Sequence, residues 1–259
     1  MTDIRVAVSG SGKMGQQVAT AVLAEGGFEA VAFVDGLATS SEIMGLPVYN
    51  DAAACFAATA PQVVIDFTNA AWTPTLAAAA LGAGVRPVIG TTGLSAEFMS
   101  WLESESAATK TGAFVAANFA IGAVLMMHFA KLAAPFFESA EIIELHHDQK
   151  VDAPSGTAKT TAEIMRAARE AAFRHAPTEK ETIPGTRGGE LGGIAIHSVR
   201  LPGFVAHQEV IFGGLGQTLS IRHDSTGRDS FMPGVIAASR AVLELDHLVV
   251  GLDQLFGLA

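Results

Sequence analysis

At 259 residues the chain is long enough for one large domain or two modest ones with a sizeable core. With 49% hydrophobic and only 16% charged residues it is a folded chain rather than a disordered one, and so little charge points to apolar surface hidden in an oligomer. A net charge of −10 argues against nucleic acid or an anionic membrane as partner.

The first residues, M-T-D-I-R-V, lack the basic start and apolar run of a signal peptide, so a cytoplasmic location is expected. Ile4 to Ser9 is a short apolar run that predicts a buried parallel strand. Gly10-Ser11-Gly12-Lys13-Met14-Gly15 follows, then a helical pattern through Val18, Ala21, Val22 and Leu23. Glu29 to Val34 predicts a second strand, ending at Asp35. Such glycines let the backbone turn tightly and approach a pyrophosphate at a helix N-terminus. Asp35 stands where an acid can hydrogen-bond an adenosine ribose. A tight turn without a ligand is the plainer reading, but the strand–turn–helix–strand–acid context favours a dinucleotide.

Gly36 to Pro47 reads as a loop, and Asp51 to Ala58 as a helix. Cys55 lies in that helix and is the single cysteine, which excludes an internal disulfide and fits a reducing compartment. No activating base is near it in sequence, so it reads as a packing residue. Gln62 to Asp66 predicts a third strand, followed by Phe67-Thr68-Asn69 and a helix to about Leu81. Val85 to Ile89 predicts a fourth, ending in Gly90-Thr91-Thr92-Gly93, with helix to about Lys110. Ala113 to Ala117 predicts a fifth, ending in Asn118-Phe119. This alternation predicts an α/β fold, a doubly wound parallel sheet of the Rossmann type, with ligands beyond the carboxyl ends of its strands. D-F-T, G-T-T-G and A-A-N-F occupy those ends, and three such loops in succession point to one shared ligand.

Ile121 to Phe137 is helical, and His128 and Lys131 interrupt it too strongly for a membrane span. Glu141 to Leu145 predicts a buried strand and Ser155 to about Phe173 a helix. Between them, His146 and His147 are neighbours at a strand end, so their side chains point to opposite faces. Lys150 adds a cation to the same turn. Ser155, Gly156 and Thr157 offer backbone N–H groups and two hydroxyls at a helix start, a site for a carboxylate. A proton donor, a cation and an anion cradle in so short a span suit a small acidic substrate; an ordinary polar loop is the bland alternative. Beyond Glu181 the long helices stop, and antiparallel strands are predicted over roughly Ile194 to Arg200, Phe204 to Phe212 and Gln217 to His223. Thr186-Arg187-Gly188-Gly189 is a polar glycine loop able to reach the site. The alternation in H-S-V-R-L suits a sheet with one covered face. Ser230 to Leu245 predicts a closing helix.

The stretch E-L-H-H-x-x-K-x-D-A-P-S-G-T-A, from Glu144 to Ala158, resembles the signature of dihydrodipicolinate reductases, enzymes of the diaminopimelate route to lysine. The resemblance covers essentially the whole chain, through the glycine-rich loop, D-F-T, G-T-T-G, A-A-N-F and R-G-G. In the family's G-x-x-G-x-M-G pattern Gly12, Met14 and Gly15 match, while the first glycine falls at Ser9 or one place late, at Gly10. The resemblance implies hydride transfer from NADH or NADPH to a cyclic imine or enamine that carries two carboxylates. It implies His146 as general acid/base and Lys150 as proton donor, with His147, Lys150, Ser155, Gly156 and Thr157 holding the carboxylates. It implies cofactor contacts from Ser9, Gly10, Ser11, Gly12, Lys13, Met14, Gly15, Asp35, Phe67, Thr68, Gly90, Thr91, Thr92, Ala116, Ala117, Asn118 and Phe119. It implies a dinucleotide-binding domain over residues 1–117 rejoined by 228–259. Residues 118–227 would form an α+β substrate and oligomerisation domain with a mixed or antiparallel sheet, assembling a homotetramer. No metal is expected. Members that use NADPH well often carry an arginine directly after the ribose acid. Here Gly36, Leu37, Ala38 and Thr39 follow Asp35, so NADH is expected to be preferred and NADPH accepted.

Three other readings compete. A related nicotinamide-dependent imine reductase would share the nucleotide half but not D-A-P-S-G-T. A non-catalytic dinucleotide-binding regulator could dispense with His146 and Lys150. A metal hydrolase could use His146 and His147, but adjacent strand histidines diverge and no H-E-x-x-H helix is present.

Overall fold

A computed structural model of the chain describes residues 2–258. It divides into two compact units, one running to Ile121 and resuming at Arg228, the other covering Gly122–Gly227.

In the first unit, strand β1 (Ile4–Ser9) leads into helix α1 (Lys13–Ala24) and β2 (Phe28–Val34). A short hairpin, β3 (Glu42–Ile43) and β4 (Leu46–Tyr49), precedes α2 (Ala52–Thr59), β5 (Val63–Asp66), α3 (Thr73–Gly82), β6 (Arg86–Ile89), α4 (Ala96–Thr109) and β7 (Ala113–Val115). Helix α5 (Ile121–Ala133) begins at the boundary and opens the second unit, with β8 (Ser139–His146), α6 (Gly156–Ala167), β9 (Gly189–Leu191), β10 (Ile194–Arg200), β11 (Ala206–Gly214) and β12 (Gln217–Ser225). The chain then returns to the first unit with α7 (Met232–Ala241), β13 (Leu248–Val250) and α8 (Leu252–Leu255).

The first sheet runs β13-β7-β6-β5-β1-β2-β4-β3, parallel throughout except for the β3–β4 hairpin. Its central strands are apolar without alternation because helices pack against both faces; β5 is buried at all four positions. Helices α2 and α3 cover Ala7, Val64 and Val34, and α3 and α4 cover Ile89 and Val115. Strand β1 has β2 on one side and β5 on the other, so the sheet order reverses there. The carboxyl ends of β1 and β5 flank the crevice where such sheets take ligands.

The second sheet is mixed, in the order β12-β11-β8-β10-β9. Strand β11 pairs antiparallel with both β8 and β12, whereas β10 runs parallel to β8. The sheet is thus the mixed one of the two expected forms, and β10, read from the sequence among antiparallel strands, has a parallel neighbour in β8. The cause is α6, which lies between β8 and β10 in the chain and carries it back across the sheet. Helices α5 and α6 cover one face, burying Ile142, Met165, Ile194, Val210 and Phe212 together. The alternate residues Ile143, Leu145, Val199 and Ile211 are half-buried on the opposite face.

Two further differences have local causes. Helix α6 stops at Ala167 rather than near Phe173, because Phe173 is drawn into the core while Arg169 donates to the Phe137 carbonyl at 2.8 Å. The stretch expected as a loop before Pro47 contains β3, and β4 adds to the sheet edge through Phe33 and Val48.

Candidate functional site

At the end of β1 the backbone turns through Gly10, whose φ of 85° is a left-handed conformation that glycine alone adopts freely. Gly10, not Ser9, is therefore the turn glycine. Ser9 completes the strand, is buried, and its Oγ accepts from Trp72 Nε1 at 3.0 Å. Gly15, in the first turn of α1, lies against the Gly10 carbonyl: a Cβ there would stand 1.8 Å from that oxygen. A Cβ on Gly12 would meet nothing within 4 Å, so that position is open to a ligand. The first-turn N–H groups of a helix lack intrahelical partners and face the positive end of its dipole. A cleft of about 680 Å³ lies over this turn, lined by Gly10, Gly12, Met14, Asp35, Thr68 and Trp72 among others. The open Gly12 position, the helix terminus and the acid at the end of β2 together fit a dinucleotide.

Asp35 is half-buried. Its Oδ2 accepts from the Ser11 N–H at 2.9 Å and the Ser11 hydroxyl at 2.7 Å, and its Oδ1 accepts from the Leu37 N–H at 3.0 Å. Burial alone would raise the carboxyl pKa, but these bonds outweigh it and hold the group below the ordinary aspartate value. Lys13 is exposed, and Leu37 stands 92% exposed on the cleft wall.

The loops at the neighbouring strand ends are knitted to one another. Asp66 is fully buried at the end of β5 and accepts from the Thr68 hydroxyl at 2.7 Å, the Thr73 hydroxyl at 2.6 Å and the Thr91 hydroxyl at 3.1 Å. This one carboxylate ties D-F-T to G-T-T-G and to the start of α3. The Phe67 ring covers Gly90, where a Cβ would fall 2.1 Å from it, and packs against Phe119 with ring centroids 5.3 Å apart. A Cβ on Gly10 would come within 2.8 Å of the Thr68 methyl. The ends of β1, β5, β6 and β7 are thus brought together. Thr91, Ala116 and Phe119 are buried and support the loops from within, whereas Thr92 and Ala117 are exposed. Asn118 is half-buried, and its Oδ1 accepts from the Ala120 N–H at 2.9 Å. The cleft itself is walled by the Ser9–Gly15, Asp35–Leu37 and Phe67–Trp72 segments, so Gly90, Thr91, Thr92 and the Ala116–Phe119 segment lie outside its lining.

In the second unit the signature stretch is built around Glu144, which has no exposure to solvent. Arg200, the last residue of β10, grips it at both oxygens: Nη2 to Oε1 at 2.7 Å and Nη1 to Oε2 at 2.9 Å. His146 Nδ1 lies 2.5 Å from Oε2, and the Ser155 N–H donates to Oε1 at 3.3 Å. Burial would raise the Glu144 pKa, but the hydrogen bonds from His146 and Arg200 outweigh it and lower the value to about 2. Arg200 Nη2 also donates to the Asp152 carbonyl at 2.8 Å, which anchors the loop that carries Lys150. Lys150 Nζ pairs with Asp152 Oδ1 at 2.6 Å. His147 is exposed, and its carbonyl accepts from the Lys150 N–H at 3.2 Å. Ser155 caps α6, its Oγ accepting from the Ala158 N–H at 3.2 Å. The first-turn N–H groups of Gly156 and Thr157 have no intrahelical partner. His146, Lys150, Ser155, Gly156 and Thr157 therefore share one loop and helix start.

Arg187 does not join this group. It pairs with Glu141 Oε1 at 2.7 Å, and His197 Nε2 lies 2.9 Å from the other Glu141 oxygen. Glu141 occupies the face of β8 opposite Glu144. Among the described residues no group of three or more His, Cys, Asp and Glu side chains is arranged to hold a metal, and no helix is long and apolar enough to cross a membrane. Sequence reading passed over Glu144, Arg200 and Asp66. The available signal was an acid at an inward position of an apolar strand, since a buried carboxylate demands partners.

Comparison with known proteins identifies the family. Residues 4–119 match the family model for the dihydrodipicolinate reductase N-terminus, and residues 122–256 match that for its C-terminus. This chain belongs to the dihydrodipicolinate reductase family. A 4-hydroxy-tetrahydrodipicolinate reductase of Geobacillus kaustophilus is 50% identical, the match covering 97% of this chain and 98% of the relative. The corresponding reductase of Geobacillus thermodenitrificans is 49% identical over the same shares. Among solved structures, a dipicolinate-bound dihydrodipicolinate reductase from Paenisporosarcina sp. TG-14 superposes with a TM-score of 0.89 at 43% identity, covering 98% of this chain and 99% of the other. As a member of the dihydrodipicolinate reductase family, the protein is an oxidoreductase of the diaminopimelate route to lysine and binds a nicotinamide dinucleotide.

Two predictions follow from these contacts. Gly15→Ala should lower stability by roughly 1–3 kcal/mol or more, because its Cβ meets backbone. Gly12→Ala should cost less, about 1 kcal/mol for a poorer N-cap, yet weaken dinucleotide binding, because its Cβ enters the open space over the turn that fits a dinucleotide. Denaturant unfolding and fluorescence titration with NADH separate the two effects. The second concerns acid. The folded-state pKa of Glu144, about 2, lies below its ordinary value of 4.5, so its contribution is complete above pH 4.5 and is lost as pH falls toward 2. The loss should reach about 3 kcal/mol. Unfolding free energies measured across that window should fall steeply for the parent and much less for Glu144→Gln.

Proposed function

We propose that the protein reduces 4-hydroxy-tetrahydrodipicolinate to tetrahydrodipicolinate, with NADH preferred and NADPH accepted. The observation that carries this reading is the gathering of His146, Lys150 and the open start of α6 around one buried carboxylate. The dipicolinate bound to the Paenisporosarcina relative is a flat ring with two carboxylates, the same charge pattern as this substrate. The bound nicotinamide supplies the hydride. In net balance the substrate loses water and gains that hydride and one proton. Within the chain, His146 moves the proton as general acid/base, and Lys150 supplies a second donor and a positive charge. The Gly156 and Thr157 N–H groups, the Ser155 hydroxyl and His147 hold the carboxylates.

On this reading the first unit, with the cleft over Gly10 to Gly15, binds the dinucleotide. Lys13 and Met14 belong to the same turn, with Phe67 and Thr68 beside it. The loops Gly90-Thr91-Thr92 and Ala116-Ala117-Asn118-Phe119 complete the cofactor region, the buried members acting as support. The second unit serves substrate binding and assembly. Half-buried Ile143, Leu145, Val199 and Ile211 on the uncovered face of its sheet support a homotetramer formed sheet to sheet. Buried, unpaired Cys55 suits the cytoplasm.

Asp35 underlies the cofactor preference. It accepts bonds from ribose hydroxyls and repels a 2′-phosphate, and no cation follows it in residues 36–39. An arginine at position 36 would bring a Cβ within 3.2 Å of the Trp72 ring, whereas exposed Leu37 leaves room. Leu37→Arg should therefore shift the kcat/KM ratio toward NADPH by roughly tenfold, the worth of one charge-assisted hydrogen bond. A clear NADPH preference in the parent would sink the reading of Asp35.

Turnover of the dihydrodipicolinate-type substrate with both cofactors tests the activity. His146→Gln should cut kcat by about 10²–10⁴-fold with little change in NADH affinity. Lys150→Ala should raise KM and lower kcat together. Dipicolinate should inhibit competitively against substrate; competition against NADH alone would contradict the cradle.

A further inference from the structure

We propose that Glu144 and Arg200 are positioning residues of the reductase. Glu144 fixes His146 with Nδ1–H as the hydrogen-bond donor, leaving Nε2 as the nitrogen that exchanges the proton. Arg200 locks the same carboxylate to the loop of Lys150. This inference rests on the proposed role of His146 and deepens it.

A carboxylate with no solvent exposure is expensive to keep unless every oxygen is compensated. Glu144 is compensated in full: Oε1 accepts from Arg200 Nη2 and the Ser155 N–H, and Oε2 from Arg200 Nη1 and His146. The groups that face it are His146 on β8, Arg200 and Ser198 on β10 and Ser155 at the start of α6; Asp152 is linked through Arg200, and Lys150 through Asp152. Across the β11 ladder the residue opposite Glu144 is the uncharged Gln208, which donates to Thr161 at 2.8 Å. A fold that needed only a filled core could use an apolar residue here, as it does at Ala140 and Ile142 on the same face. The acid is instead placed two residues before His146, where strand alternation puts both side chains on one face.

The consequence is a defined tautomer. An ionised carboxylate only accepts, so the hydrogen in the bond to His146 belongs to Nδ1. The remaining ring nitrogen, Nε2, is then the one left to exchange a proton with the substrate. In the proton step the Nε2–H bond of the imidazolium breaks, the proton joins the substrate as it accepts the hydride, and the bonding pair stays on the ring. Solvent later restores the proton. The hydride donor is oxidised and the substrate reduced, so charge and electrons balance.

Arg200 extends the same anchor to the second donor. Its Nη2 bridges Glu144 and the Asp152 carbonyl, and Asp152 holds Lys150. One guanidinium thereby sets the spacing between the histidine and the lysine loop. Its planar fork suits this bridging better than an ammonium would.

The test combines spectroscopy of the parent with a mutant cycle. In ¹⁵N-histidine NMR of the parent enzyme, neutral His146 should carry its hydrogen on Nδ1, assigned by loss of its signals in His146→Gln; an Nε2–H tautomer would overturn the proposal whether or not any Glu144 variant folds. Glu144→Gln, whose amide can donate to Nδ1 instead, should lower kcat about 10²-fold, within the range of general acid catalysis. It should also move the alkaline limb of the kcat profile to lower pH, because the imidazolium loses its carboxylate partner, and leave dipicolinate affinity within about threefold by calorimetry, since the N–H cradle stays in place. In the His146→Gln background the same change should cost less than about threefold, because the interaction is already gone. Equal losses in both backgrounds would mark a merely structural role and refute the proposal. Arg200→Lys should weaken dipicolinate binding as well as kcat, by about tenfold each; loss of kcat alone would detach Arg200 from the lysine loop. If His146→Gln itself keeps parent turnover, the function of His146 fails. If that variant is impaired while Glu144→Gln is not, only the positioning role fails.

Discussion

A carboxylate cut off from water must be met by donors, and the loop between β8 and α6 is shaped by how Glu144 is met. Strand β8 places it inward, α6 begins by giving it the Ser155 N–H, and β10 ends on Arg200 to grip both its oxygens. The parallel pairing of β8 and β10 is what makes this possible, since the register sets Arg200 beside His146 and Ser198 beside Glu144. Removing one partner of such a pair leaves an uncompensated buried charge, a loss of about 3–5 kcal/mol. Helix start, strand end and loop are therefore held by one group of bonds, and the position of His146 depends on them all.

The first unit solves a similar problem with weaker donors. Asp66 is as deeply buried as Glu144, but its side-chain donors are the hydroxyls of Thr68, Thr73 and Thr91. Hydroxyl bonds are individually modest, so three are used here, where Glu144 has a guanidinium, an imidazole and a backbone N–H. Their origins matter more than their strength. They come from the loop after β5, the start of α3 and the loop after β6, so one carboxylate sets the relative height of two cofactor-side loops. Phe67 over Gly90 and against Phe119 adds the third loop by packing alone.

Much of this was legible in the sequence because it is local. Apolar runs ending in D-F-T, G-T-T-G and A-A-N-F announce parallel strands with loops at their carboxyl ends, and glycine at positions 10, 12 and 15 announces a close backbone approach. The spacing from His146 to Thr157 places a histidine, a lysine and a helix start in one turn of chain. What escaped is non-local. Glu144 and Arg200 lie 56 residues apart, and only the β8–β10 register joins them. The loop of Arg187 is long enough to reach the site, but strand alternation puts its partner Glu141 on the other face. The early end of α6 is likewise a tertiary effect, set by the burial of Phe173. The position of the turn glycine could not be settled by pattern either; it took the φ of Gly10 and the strand geometry of Ser9 to separate them.

The two cations of the substrate side differ in a way that suits different tasks. Arg200 is 19% exposed and bound to a fully buried acid, with a geometry that a ligand cannot rearrange without opening the core. Lys150 is paired with Asp152, whose side chain is 52% exposed. Lys150 is about as buried as Arg200, so the difference lies in the partner: a pair with so open an acid contributes only about 0–1 kcal/mol, because water competes for Asp152. An arriving carboxylate can therefore draw the Lys150 ammonium from Asp152 at little cost, since one acid replaces another. The same exchange at Arg200 would strand Glu144 without its main partner. On the proposed function, a fixed cation that builds the loop and a loosely held one that the loop presents are the division of labour expected of a site that must bind and release a dianion on every turnover.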